Sequence, residues 1–287
     1  MEAISPLATA TSTEVIQSTA EIIPSDTNVV ASPEINHLED AVRNKDAQHV
    51  LSLITDSYIT DLEPNYKKLG IIAILNEDLA TLEVICNSLV LTSRTIRIFN
   101  LFVLDASRCK DITLLEYLTT KILIAPGIRQ LAMLCATINN NLPAVKLLDT
   151  NKKIEHRKLP LEAASRGHIE ILEYFLESKI KSVERILCIG VKNEDIETIK
   201  LAIKYGAVGL NRTLVIAARN NSLTMCRYIV GLGVKNFAKP LFIAAEKGHI
   251  EIVRYFISLG IKNTDKAFAA ATDPEIRQLL LTVGDIA

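Results

Sequence analysis

KPLFIAAEKGHIEIVRYFISLG, residues 239–260, decides the fold. Pro240 stands at a first helical position, where its missing N–H would have no intrahelical partner anyway. Leu241, Ala244 and Ala245 follow at helical spacing, and the two alanines are small enough to let a neighbouring helix come close. Gly248 stops this helix by accepting a left-handed backbone. Ile250, Val253, Phe256 and Ile257 then mark one face of a second helix, which Gly260 ends. The stretch reads as two short helices joined by a tight turn.

The same unit recurs. LPLEAASRGHIEILEYFLESK (159–179) and RTLVIAARNNSLTMCRYIVGLG (212–233) repeat it closely, and the first alanine of each pair serves as an anchor: Ala163, Ala217 and Ala244. ILCIGVKNEDIETIKLAIKYG places Gly190 at that point, and AMLCATINNNLPAVKLL places Ala136 there, so each step from 136 to 244 is 27 residues. Weaker copies anchor at Ala41, Ala73 and Ala106, with steps of 32, 33 and 30. A last copy at 266–284 is shortened between its helices, and Asp273-Pro274-Glu275 supplies its second cap. The pattern predicts an all-α solenoid of about nine helix pairs. Both sides of each helix are apolar, so a unit buries itself only against its neighbours. Stacking also accounts for the positive mean hydropathy of +0.24. The Asn-rich unit at 130–150, with Pro143, is expected to be the softest.

Composition excludes several classes. Hydrophobic residues make up 49% and charged residues 23% of 287, so the chain can form a core. Trp is absent and aromatics reach only 5%, which suits thin helical layers. No apolar run approaches the roughly 18 residues needed to span a bilayer. No signal-peptide pattern opens the chain. Five cysteines without a CxxC pair point to a reducing compartment and buried thiols. No Gly-rich phosphate loop, zinc-protease helix or nucleophile elbow is present, so no cofactor, metal or enzymatic activity is expected. The formal charge of −1 is unevenly spread: residues 1–40 hold seven acids and no Lys or Arg, leaving 32 basic against 26 acidic residues, a net +6. Residues 1–35 are expected to form a flexible acidic tail ahead of a repeat domain over 36–287.

The strings PLFIAAEKGHIEIVRYFISLG and PLEAASRGHIEILEYFLES resemble the ankyrin repeat, whose pattern runs TPLHxAAxxGHxEIVxxLLxxGA. The likeness is strong over 159–260 and weaker before 130. Ankyrin units typically take about 33 residues. The units of 27 lack the stretch that forms the family's β-turn finger, so fingers should be short or absent. The longer early steps leave room for loops around 57–66 and 92–98. Shortened units resemble those of large amoebal viruses and intracellular bacteria, which would put the chain in a cytoplasm, a host's if so; a nuclear location is compatible too.

The resemblance implies a protein–protein interaction scaffold that binds through the concave face of its first helices. The exposed positions carried over are the two after each Ala-Ala equivalent. They are Arg108 and Cys109, Ile138 and Asn139, Ser165 and Arg166, Lys192 and Asn193, Arg219 and Asn220, Glu246 and Lys247. Five of these six units place a cation there, a ladder that suits an acidic segment of another protein. Two other uses stay open. A ubiquitin-ligase adaptor needs a second recruiting stretch, and residues 1–40 hold none that looks F-box-like or SOCS-like. A nucleic-acid factor needs aromatics interleaved with the cations, which are missing. His168 and His249 follow the turn glycines, where the family uses His for backbone hydrogen bonds. Tyr117, Tyr174, Tyr228 and Tyr255 recur at one second-helix position and read as packing between units.

Overall fold

Every anchor lies in the last turn of a helix, and after seven of the eight the same turn geometry follows. A computed structural model describes residues 33–56, 63–89, 92–149, 158–178, 182–261 and 263–284. In seven units the residue four after the anchor has positive φ: Lys45 (58°), Glu77 (52°), Asn140 (55°), Gly167 (70°), Glu194 (56°), Asn221 (59°) and Gly248 (76°). Its amide donates to the carbonyl one past the anchor, and the next amide donates to the anchor's own carbonyl. Gly167 N–H to Ala164 O is 3.3 Å, and His168 N–H to Ala163 O is 2.9 Å. The pair of bonds closes carbonyls that a helix end otherwise leaves open. Asp78, Asn141, Asp195 and Ser222 stand next and accept backbone N–H bonds from the first turn of the second helix.

The described residues form nine helix pairs. They are α1 Pro33–Arg43 and α2 Ala47–Asp56; α3 Glu63–Leu75 and α4 Leu79–Ser88; α5 Ser93–Ala106 and α6 Thr113–Lys121. Next come α7 Pro126–Ile138 and α8 Leu142–Leu148; α9 Leu159–Arg166 and α10 Ile169–Leu176; α11 Val183–Lys192 and α12 Ile196–Lys204. The last are α13 Leu210–Arg219 and α14 Leu223–Gly231; α15 Ala238–Lys247 and α16 Ile250–Ser258; α17 Asp265–Ala270 and α18 Pro274–Gly284. Each odd-numbered helix packs on the next odd-numbered one, and each pair closes on itself. The result is a layer of first helices backed by the second helices. Ala271 falls 27 after Ala244, and α18 starts three residues later, the shortened link expected for the final unit.

One core runs the length of the stack. Ala163, Ala164, Ala217, Ala218, Ala244 and Ala245 are fully buried, as are Ile171, Leu214, Met225 and Phe256. Each fully covered large side chain contributes roughly 1.5–3 kcal/mol. Gly190 replaces the anchor alanine for a steric reason: a Cβ there would lie 2.9 Å from Ile199 Cγ1 and 3.2 Å from Ile199 N.

The early units depart from expectation. The loop expected near 92–98 is helix, because α5 runs for 14 residues. Thr92 and Thr95 form a capping box at its start, and Ile98 and Phe99 are buried in the added turn. Helices α3 and α7 are 13 residues long, against 8 for α9 and 10 for α11, α13 and α15. Among the described residues, extra length thus goes into the first helices, and no strand is present. Of the loop expected over 57–66, residues 57–62 lie outside the described residues and 63–66 begin α3. The expected acidic tail likewise lies outside them up to residue 32.

Candidate partner-binding face of the first helices

Burial defines the open face. Counting from the anchor, positions −4, −3, 0 and +1 are buried in α9, α11, α13 and α15. At 3.6 residues per turn, positions −5 and +2 are two turns apart on the opposite side, away from the core. Position −2 lies beside them and is half-buried as Leu161, Cys188, Val215 and Phe242.

The residues expected to bind divide by environment. Lys192, Arg219, Asn220, Glu246 and Lys247 are exposed, and among the described residues Lys192, Arg219 and Lys247 form no ion pair. Arg166 is held by Glu162 at 2.7 Å and Arg108 by Asp105 at 3.0 Å, so these two cations are partly neutralised within their own units. Asn193 donates to the Ser165 carbonyl of the preceding unit at 2.9 Å, and Asn139 donates to Cys135 O at 2.8 Å. Ile138 and Cys109 are half-buried, and the Cys109 thiol approaches Ile74 O at 3.6 Å.

A second row was missed by reading forward from the anchors. Position −5 is Lys158, Arg185, Arg212, Lys239 and Lys266 in five successive units, again 27 apart. All five are exposed, and none forms an ion pair among the described residues. Subtracting five from each anchor would have found it. In α11 and α13 both open positions are cationic: Arg185 with Lys192, and Arg212 with Arg219.

The remaining candidates are structural. The His168 ring lies 2.7 Å from Thr137 O and the His249 ring 3.2 Å from Arg219 O, each a nitrogen donating to the previous unit's backbone. Lys146 sits 5.9 Å from the Tyr174 ring centre and Arg227 5.6 Å from that of Tyr255, so each cation covers the next unit's tyrosine. Burial pushes the Cys86 and Cys226 thiols up to about 12 and Cys109 to about 11, which leaves them inert at neutral pH. The described residues contain no cluster of three His, Cys, Asp or Glu side chains able to hold a metal ion.

Residues 187–267 match the family model for ankyrin repeats, in three copies. That stretch is built of ankyrin repeats. The matched span runs from within α11 into α17, the part of the helical stack where the cationic face is most complete. No curated protein matches the chain. Ankyrin repeats generally bind other proteins, and proteins built from them are typically non-enzymatic. Among the described residues no helix is long and apolar enough to cross a membrane.

Proposed function

We propose that this protein is an interaction scaffold that holds a segment of another protein against the open face of its first helices. One observation carries the reading: exposed cations recur from unit to unit on or beside that face, with Lys192 and Arg219 two residues after their anchors and Lys247 three after, each without an ion pair among the described residues. Buried, high-pKa thiols fit a reducing compartment, and we place the protein in the cytoplasm.

The test is affinity enrichment followed by mass spectrometry. Wild type is compared with a variant carrying Arg166→Glu, Lys192→Glu, Arg219→Glu and Lys247→Glu. A partner retained by wild type and lost by the variant supports the reading. An identical partner set for both proteins would remove it. A nucleic-acid binder would show itself by affinity falling steeply with salt, with a slope set by the phosphates contacted.

A further inference from the structure

We infer that the open face of residues 158–266 receives an extended acidic polypeptide that crosses the first helices and presents a carboxylate at every third residue. The inference rests on the protein-binding reading above and adds the partner's chemistry and backbone form. Its starting point is the unbroken row Lys158, Arg185, Arg212, Lys239 and Lys266, one exposed cation per unit at one helical position.

Spacing selects the occupant. Packed helices lie 8–10 Å apart, so successive cations recur at about that distance. A polyproline II chain rises 3.1 Å per residue with three residues per turn, so side chains at every third residue recur on one side about 9 Å apart. A β-strand alternates sides, and its third residues point away from each other. Five cations therefore match a segment of about 13 residues with carboxylates at i, i+3, i+6, i+9 and i+12.

Charge selects the sign. The row sits at the N-terminal ends of α9, α11, α13, α15 and α17, where helix dipoles add positive potential and disfavour a cation for local stability. Of the acids on this side, Glu184 is occupied: it accepts from Val208 N–H at 2.8 Å and Gly209 N–H at 3.0 Å. Asp265 and Glu246 remain exposed near the last two units, so the field is strongest over α11 and α13.

The apolar row selects polypeptide over polynucleotide. Leu161, Cys188, Val215 and Phe242 run beside the cations and offer half-buried surface to the residues between the carboxylates. Only Phe242 among them could stack a base, whereas single-strand binders place aromatics along the track.

Fluorescence anisotropy on the full chain tests this with three labelled peptides of five glutamates each, spaced by two, three or four residues in a Pro/Ala background. At about 0.15 M salt the third-residue peptide should bind about tenfold more tightly than the other two, because only it meets every cation. The variant Arg185→Gln, Arg212→Gln, Lys239→Gln should lose about tenfold for that peptide, while Lys200→Gln on α12 should change nothing. Equal binding at all three spacings, or no loss in the triple variant, overturns the inference. A single-stranded oligonucleotide binding more tightly than every peptide overturns it in favour of nucleic acid. If the peptides fail yet the triple variant loses a protein that wild type captures, the binding face stands and only the third-residue form falls. If the triple variant loses neither, the third-residue form falls, and the binding face falls as well only if the Arg166, Lys192, Arg219 and Lys247 glutamate variant also keeps every captured protein.

Discussion

Replacing Gly190 with alanine should destabilise the protein even though its sister anchors are Ala136, Ala163, Ala217 and Ala244. In a helix interior the change gains about 1 kcal/mol of propensity. Against that, the new Cβ would stand 2.9 Å from Ile199 Cγ1, 3.0 Å from Thr198 Cγ2 and 3.2 Å from Ile199 N. None of these can give easily. Ile199 and Thr198 are fully buried, and Thr198 is pinned by hydrogen bonds to Asp195. Overpacking of this kind costs about 1–3 kcal/mol, so the net loss should be about 1 kcal/mol, or about 2–4 °C in Tm for a chain of this size. Gly231→Ala supplies the control: its Cβ would meet nothing within 4 Å, and the same propensity gain should raise stability by about 0.5–1 kcal/mol. Urea unfolding followed by far-UV circular dichroism reads both. Equal stabilisation by the two substitutions would refute the close α11–α12 approach from which the difference is derived.

Glu194 occupies the turn position with φ 56° that Gly167 and Gly248 hold elsewhere, so Glu194→Gly should stabilise by about 1 kcal/mol in the same urea assay. The Cys86 and Cys226 thiols rise from 9.0 to about 12 through burial, so the unfolded chain ionises first as pH increases. Stability should therefore be full below pH 9 and fall between about 9 and 12, which denaturant midpoints across that range will show. With a thiol reagent at pH 8, half-exposed Cys188 should label before buried Cys86 and Cys226, read by peptide mass spectrometry. Helix α8, only 7 residues long, should exchange its amides faster than α16 in native-state hydrogen exchange.

The anchor rule was legible because its causes are local: a buried small residue and, four positions on, a turn that needs positive φ. Seven units obey it although only Gly167 and Gly248 carry a glycine there; Lys45, Glu77, Asn140, Glu194 and Asn221 take the same φ under the constraint of stacking. The histidine bonds were legible through the resemblance, which places His168 and His249 after the turn glycines as donors to backbone. The fate of the extra early residues was not. Whether 92–98 loops out or extends α5 depends on burying Ile98 and Phe99 against neighbours that local pattern does not reveal. The exposure and pairing of the candidate face were half legible. Reading forward from the anchors found Lys192, Arg219 and Lys247, but not that Arg108 and Arg166 are taken up by Asp105 and Glu162. It also missed the row that runs from Lys158 to Lys266, and the use of Glu184 to hold the backbone ahead of α13.

Linear stacking is tested most directly by electron–electron distance measurements between spin labels on equivalent turn residues, attached through an unnatural amino acid so that the five native thiols stay unmodified. Asn139, Arg166, Asn220 and Lys247 are all exposed and all stand three after their anchors. Pairs 166/220, 166/247 and 139/247 are two, three and four steps apart and should give about 16–20, 24–30 and 32–40 Å. Distances that fail to grow with the number of steps would contradict a stack of two-helix units.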